Sequence, residues 1–81
     1  MKIMVLFFGP ARIITGVTEF PLQLPEAAMV SDAIRVLFQL YPKLQTLETC
    51  LRYAIDMEYV NTEALLCEGQ TLVVIPPVQG G

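Results

Sequence analysis

Apolar residues form two short runs near the ends of the chain, and each run predicts a buried strand. Every residue after the lysine in Lys2–Phe8 is apolar, and Thr71–Ile75 has the same character after its threonine. Successive side chains of a strand point to opposite faces, so both runs place apolar side chains on both faces of a sheet. A small fold with one helical layer covers only one face. We therefore expect loops or a partner protein to cover the other.

The next segment predicts a strand at the edge of the sheet. Residues alternate along Val17–Leu24: one face carries Phe20, Leu22 and Leu24, and the other Glu19, Pro21 and Gln23. Proline cannot donate a ladder hydrogen bond, which favours an edge position. Gly9-Pro10 ends the first strand, and Ala11–Thr15 is predicted to form a short helix that stops near Gly16.

The middle of the chain has the spacing of a main helix. Ser31 is a suitable N-cap, Asp32 complements the helix dipole, and Pro42 ends the helix. The apolar stripe that should pack on the sheet consists of Ile34, Leu37, Phe38 and Tyr41. Leucines at helical spacing predict a second, shorter helix over about Lys43–Cys50.

Two short strands are predicted before the closing strand, Arg52–Ile55 and Glu58–Val60, around a turn at Asp56-Met57. The element order predicts an α+β fold: a mixed sheet with one main helix packed on one face. The first and closing strands should be parallel and joined by a right-handed crossover. This is the ubiquitin-like β-grasp arrangement, with a domain over residues 1–75 and a C-terminal tail over residues 76–81.

Composition and charge narrow the classes of function. The chain is 54% hydrophobic and 16% charged, against about 25% charged in a typical domain. The excess of apolar residues indicates either a buried interface or a densely packed core. The net charge is −3 and the five basic residues are scattered, so nucleic acid is not expected as a partner. We expect no membrane segment and, because Ile3–Phe8 is short for a signal peptide, a cytoplasmic protein.

The nucleophilic and metal-binding residues are few. The sequence contains two cysteines and no histidine, and the spacing of Cys50 and Cys67 is not that of a metal site. Zinc chemistry and Ser-His or Cys-His catalysis are excluded from this chain. We predict that both cysteines are reduced structural thiols that pack as small hydrophobic residues.

The C-terminal tail is the most suggestive stretch. Pro76 and Pro77 end the last strand, and the sequence finishes at Gly80-Gly81. Two residues without side chains can enter a narrow channel, and a terminal carboxylate can be activated without cutting a peptide bond. Six extended residues span about 20 Å, enough to reach a neighbour's active site. The alternative is an ordinary frayed, glycine-rich end on a non-catalytic binding module.

Four stretches resemble the small subunit of molybdopterin synthase, the sulfur carrier of molybdenum cofactor biosynthesis. They are Val5–Arg12 with Gly16-Val17, Leu40–Pro42, Glu68–Leu72 and Ile75–Gly81. The resemblance covers the whole chain, and the closing Pro-Pro-Val-x-Gly-Gly pattern is its most specific part. Asp56–Glu58 and Ile75 depart from the usual pattern.

The resemblance implies a function performed at Gly81. An activating enzyme would use ATP to adenylate its carboxylate, and a sulfur donor would convert it to a thiocarboxylate. The tail would then enter the large synthase subunit and deliver sulfur to cyclic pyranopterin monophosphate. No cofactor is expected to stay bound, the large subunit would supply the catalytic side chains, and a heterotetramer is the family expectation.

The same resemblance assigns roles to other residues. Gly80, Gln79 and Val78 would insert with Gly81. Partner contacts are expected from Ile75, Pro76, Pro77, Phe7 and Arg12. A related β-grasp carrier for thiamine, cysteine or tRNA thiolation, or a ubiquitin-like modifier joined through Gly81, remains an alternative because such proteins share the Gly-Gly end.

Overall fold

A computed structural model describes residues 1–75, which form a five-stranded mixed sheet with helical elements on one face. In chain order the elements are β1 (Lys2–Phe7), α1 (Gly9–Thr15), β2 (Glu19–Gln23), α2 (Val30–Leu40), a 3₁₀ helix (Pro42–Leu47), β3 (Arg52–Ile55), β4 (Glu58–Val60) and β5 (Thr71–Ile75).

The closing strand lies at the centre of the sheet. The strand order is β2-β1-β5-β3-β4. β5 runs parallel to β1, with Val74 opposite Phe7, and antiparallel to β3, with Val74 opposite Tyr53. β1 pairs with β2 in antiparallel orientation. These pairings confirm the predicted β-grasp arrangement.

One face of the sheet forms the core with α2. In β1 the residues Ile3, Val5 and Phe7 expose 2% or less of their surface. They belong to a single cluster with Leu37 of α2 and Leu72 of β5. Removing such side chains from water is the main favourable contribution to folding. The predicted stripe faces this core, with Ile34 and Leu37 buried and Phe38 and Tyr41 packed at its margin.

The C-terminal end of α2 is fixed over β1 and β2 by an aromatic group. The ring of Tyr41 meets Phe7 edge-on at 6.2 Å between centroids, and Phe20 at 5.8 Å. Edge-to-face packing is a favoured arrangement of aromatic rings. The ends of β1 and α2 are thereby brought to the same end of the molecule.

The edge position of β2 is confirmed. Leu22 and Leu24 are buried, whereas Glu19, Pro21 and Gln23 are exposed, as the alternation predicts. The short helix is also confirmed: α1 ends at Thr15 and is capped by Gly16, whose φ of 76° lies in the left-handed region that glycine adopts readily.

The start of α2 differs from the prediction. The helix begins at Val30, so Ser31 lies inside the first turn and the prediction that it is the N-cap is wrong. Met29 occupies that position, and its backbone N–H donates to Asp32 Oδ2 at 2.8 Å. Asp32 therefore satisfies one of the free N–H groups at the helix start.

The second predicted helix is shorter and tighter than expected. It is a 3₁₀ helix that ends at Leu47, whereas the leucine spacing predicted a helix up to Cys50. The predicted hairpin is confirmed. Asp56 and Met57 have φ values of 52° and 68°, the combination that joins two strands through a tight turn of the right twist.

Candidate functional site

The tail leaves the sheet from its central strand. Ile75, the last described residue, is half-buried and is the register partner of Arg52 on β3. On the other side of β5, Val74 is held against Phe7 of β1. The point of exit is therefore anchored on both sides. The remaining predicted site residues lie outside the described residues: Pro76, Pro77, Val78, Gln79, Gly80 and Gly81.

The sheet face opposite the core is apolar at its centre. One row of register partners crosses all five strands: Glu19, Leu6, Val73, Ala54 and Tyr59. We call this side of the sheet the outer face. Its central side chains are half-buried or buried, and Tyr59 is 74% exposed at the rim.

Within residues 1–75 no helix packs on the outer face. The buried residues of α1, α2 and the 3₁₀ helix all belong to the cluster that contains Ile3, Val5 and Phe7. Met4 and Leu6, which alternate with those residues, point to the other side of β1. The expectation of apolar side chains on both faces is confirmed, and the outer face continues to Ile75 at the tail exit.

Phe7 does not belong to this surface. Its side chain is 0% exposed and lies in the core, so the prediction that it contacts a partner is wrong. The next residue, Phe8, is 46% exposed between β1 and α1. Since β1 is apolar on both faces, the sequence alone could not show which set of side chains faces the helices.

Arg12 and Ile75 are placed where a partner could reach them. Arg12 is exposed in the last turn of α1, the helix that directly follows β1. Because β1 and β5 are parallel, α1 begins at the same end of the sheet at which the tail leaves. The structure thus brings these two predicted residues to one end of the molecule.

Sequence reasoning did not single out Val73, Ala54 or Tyr59 as members of a surface. Alternation along Thr71–Ile75 separates Val73 from the buried Leu72 and Val74. The strands β3 and β4 have four and three residues, too few for alternation to fix a register. The row is visible only once the pairing is known.

The described residues offer little chemistry of their own. They contain no group of three or more His, Cys, Asp or Glu side chains placed to hold a metal ion. Burial, with a contribution from the nearby Glu48 carboxylate, raises the pKa of Tyr53, so this phenol loses its proton less readily than an ordinary tyrosine. Among residues 1–75, no helix has the length and apolar character needed to cross a membrane.

The two cysteines are free but do not pack as predicted. Cys50 and Cys67 are both exposed thiols. The expectation that they fill space as small hydrophobic residues is wrong, because the helix predicted up to Cys50 ends at Leu47 and Cys67 lies in the surface segment before β5.

Comparison with known proteins gives matches over the whole chain. Residues 5–81 match the model of the ThiS family. A molybdopterin synthase sulfur carrier subunit of Arabidopsis thaliana is 31% identical over 81 residues, which cover 100% of this chain and 84% of that protein. A protein of the same name from Caenorhabditis elegans is 34% identical over 83 residues, covering 100% of this chain and 99% of the relative.

Solved structures support the same fold. A putative molybdopterin converting factor, subunit 1, from Pyrococcus furiosus superposes with a TM-score of 0.86 at 28% identity, covering 95% of this chain and 98% of that one. SAMP1 from Haloferax volcanii gives a TM-score of 0.89 at 20% identity over 100% of both chains. A complex of subunits 1 and 2 of molybdopterin-converting factor from Helicobacter pylori gives 0.70 at 24%, again over 100% of both chains.

Proposed function

The chain belongs to the ThiS family, and on that premise we propose that it is the sulfur carrier and small subunit of a molybdopterin synthase. The observation that carries the proposal is the position of Ile75 at the end of the central strand. A sequence ending in Gly80-Gly81 continues from the central strand of the sheet, beside an apolar outer face that no described helix covers. The names of the full-length relatives support the assignment to molybdopterin synthesis.

The proposed chemistry takes place on the carboxylate of Gly81, the last residue of the sequence. An oxygen of this carboxylate attacks the α-phosphorus of ATP in the activating enzyme and releases pyrophosphate. Hydrosulfide, or a donor of sulfur at the same oxidation level, then attacks the acyl-adenylate: a C–S bond forms, the C–O bond to AMP breaks, and loss of the S–H proton leaves the Gly81 thiocarboxylate. Adenylation is required because a free carboxylate is a poor electrophile, whereas AMP is a good leaving group.

Sulfur transfer is proposed to occur inside the large subunit. The Gly81 thiocarboxylate donates its sulfur to cyclic pyranopterin monophosphate, and two loaded carriers provide the two sulfurs of the dithiolene. The catalytic side chains are assigned to the large subunit, because this chain has no histidine and its described residues contain no metal-ligand cluster. ATP is consumed by the activating enzyme, and we propose no bound cofactor for the carrier.

The outer face is the proposed docking surface for the large subunit. Burying the half-exposed Leu6 and Val73 removes apolar surface from water and fixes the direction in which the tail continues from β5. Pro76 and Pro77 restrict the backbone of the tail and so lower the entropy lost when it enters a channel. Val78, Gln79 and Gly80 would enter the channel together with Gly81, and the assembly would contain two copies of each subunit.

We propose that the carrier works in the cytoplasm, where ATP and a sulfur donor are available. Two free, exposed cysteines support this location, since exposed thiols persist in a reducing compartment. The small number of scattered basic residues argues against nucleic acid as a partner.

The decisive experiment measures the intact mass of the chain after incubation with the activating enzyme of the same organism, ATP and a sulfur source. We expect replacement of one oxygen by sulfur, and no change in a variant that lacks Gly80-Gly81 but unfolds at the same temperature. Met57→Ala, which alters a 99% exposed residue at the opposite end of the sheet, is the matched control.

Addition of the large subunit and cyclic pyranopterin monophosphate then tests the acceptor. Formation of molybdopterin would identify the pathway. A loaded carrier that rescues thiamine synthesis but yields no molybdopterin would instead indicate a related β-grasp carrier, and an unchanged mass with an active activating enzyme would contradict the carrier function.

A further inference from the structure

A second apolar surface lies on the helical side of the molecule, away from the outer face. It is formed where α1 meets the C-terminal end of α2, and we call it the α1–α2 corner. Its residues are Arg12, Ile13, Ile14, Leu40 and Lys43. The side chains of Ile13 and Leu40 are 82% and 52% exposed, although both residues belong to helices that bury other side chains in the core. The core therefore does not use them.

The corner is shaped by two neighbouring hollows. One has a volume of about 430 Å³ and the other about 310 Å³. They are linked through α1, because Ile13 lines the first hollow and the next residue, Ile14, lines the second. The first is lined by Gly9, Arg12, Ile13 and Gly16, and the second by Ile14, Leu40, Tyr41, Pro42 and Lys43.

The charge of the corner is opposite to that of the whole chain. The chain carries a net charge of −3, but each hollow is bordered by a basic residue, Arg12 in one and Lys43 in the other. None of the described residues that line either hollow has a carboxylate. An apolar floor with a basic rim is complementary to an acidic, amphipathic segment.

Three of the chain's eight acidic residues lie at the end of the sheet opposite the corner. Asp56 and Glu58 lie at the hairpin that faces the beginning of β5. Glu68 accepts a hydrogen bond from the backbone N–H of Lys2 at 2.9 Å, so it lies at the same end. The corner is at the other end, because Tyr41 contacts Phe7 at the end of β1. The positive region is therefore separated from these acidic groups by the length of the sheet.

We propose that the α1–α2 corner binds an acidic segment of a partner protein, whose apolar side chains cover Ile13 and Leu40 and whose carboxylates pair with Arg12 and Lys43. A second copy of this chain fits less well, because apposed corners would bring the same cations together. The corner lies at the end from which the tail leaves but on the opposite side from the outer face. One protein can hold the corner while another occupies the outer face.

The test uses a synthetic probe. It is a 12-residue helical peptide with leucines at i, i+3 and i+4 spacing and glutamates elsewhere, and its matched control has lysine in place of every glutamate. Binding to the isotope-labelled chain is followed by the shifts of backbone amide signals. We expect the acidic peptide to shift the signals of Ile13, Leu40 and Lys43 and to bind at least ten times more tightly than the lysine peptide.

Two sets of variants test the basic residues and the apolar residues of the corner separately. The double variant Arg12→Glu, Lys43→Glu should weaken binding at least tenfold, and Ile13→Ser with Leu40→Ser should do the same at high salt. Arg35→Glu is the matched control, because its side chain is 70% exposed on α2 but lies outside the corner. It should change the affinity less than twofold.

Some results would overturn the proposal. Three are peptide results: equal binding of both peptides, signal shifts confined to other surfaces, or an absence of binding at millimolar peptide. The fourth is a dimer of the chain, seen by sedimentation, that Ile13→Ser abolishes. A chain that lacks Gly80-Gly81 should bind the acidic peptide normally. A failure of this inference and a failure of the sulfur-carrier function are therefore distinguishable.

Discussion

Phe7 and Phe8 are neighbours in the sequence but lie on opposite sides of the backbone where β1 ends. Phe7 is 0% exposed in the core, and Phe8 is 46% exposed. The backbone of Phe8 stays extended, with φ −132° and ψ 160°, so the alternation of β1 continues through it. Two identical side chains thus have different roles, one in stability and one at the surface.

Phe7→Ala should destabilise the fold strongly, whereas Phe8→Ala should not. Loss of a fully buried phenylalanine costs about 3–5 kcal/mol in the free energy of unfolding. Phe8→Ala should cost less than about 1 kcal/mol, because much of its ring is already in water. Urea unfolding monitored by circular dichroism measures both. Equal losses would show that the two side chains are not divided between core and surface as described.

Leu6→Asp should reduce binding of the molybdopterin synthase large subunit more than it reduces stability. Leu6 lies at the centre of the outer face, where a carboxylate would be desolvated on docking. We expect at least a tenfold loss of affinity by calorimetry, with a change of about 1 kcal/mol in unfolding free energy.

Gln23→Asp is the matched control for the outer face. It introduces the same charge on an exposed position of the edge strand β2 and should leave the affinity nearly unchanged. Normal binding by Leu6→Asp, or an equal loss in both variants, would contradict docking through the centre of this face.

The stability of the chain should decrease at alkaline pH because of Tyr53. Its pKa is raised above 10.0, first by burial and then by Glu48, so the folded state favours the neutral phenol. The associated stability is complete below pH 10, and it is lost as pH rises through the higher pKa of the folded state. Urea unfolding from pH 8 to 11.5 should show a smaller decline in Tyr53→Phe.

Tyr59→Phe is the control for the alkaline series. Tyr59 is 74% exposed, so Tyr59→Phe removes the same hydroxyl group from a position that folding does not bury. A Tyr53→Phe curve that runs parallel to that of the unmodified chain would show that Tyr53 does not cause the decline.

Asp32→Ala should destabilise α2, whereas Ser31→Ala should be nearly neutral. Asp32 Oδ2 accepts a hydrogen bond from the backbone N–H of Met29 at the helix start, and loss of such a group costs about 1 kcal/mol. Thermal unfolding of the two variants measures the difference. The reverse order of stabilities would restore Ser31 as the capping residue.

The sequence predicts the positions of the strands more completely than it predicts which of their faces is buried. β1, β2 and β5 follow from apolar runs and alternation, and Pro21 correctly marks the edge strand. Alternation divides β1 into two sets of side chains, but both sets are apolar. Only the position of α2 decides that Phe7 is buried and that Leu6 faces outward. This is why the candidate site was only partly predicted.

Local errors at the helices have a different origin. Ser31 and Asp32 are both good capping residues, and the sequence cannot show which one reaches a free N–H group. The exposure of Cys50 was missed because the leucine spacing after Pro42 fits a longer helix. The chain instead forms a 3₁₀ helix to Leu47 and turns toward β3.

The central position of β5 has a mechanical consequence. A force that draws the tail into a channel acts along β5, parallel to the strands on either side. The hydrogen bonds to β1 and β3 lie across that direction and are loaded together in shear, rather than opened one at a time as in peeling. An edge strand would have only one ladder to resist the same load. The sheet can therefore transmit tension to the tail while the pairing of β5 with β1 and β3 is kept.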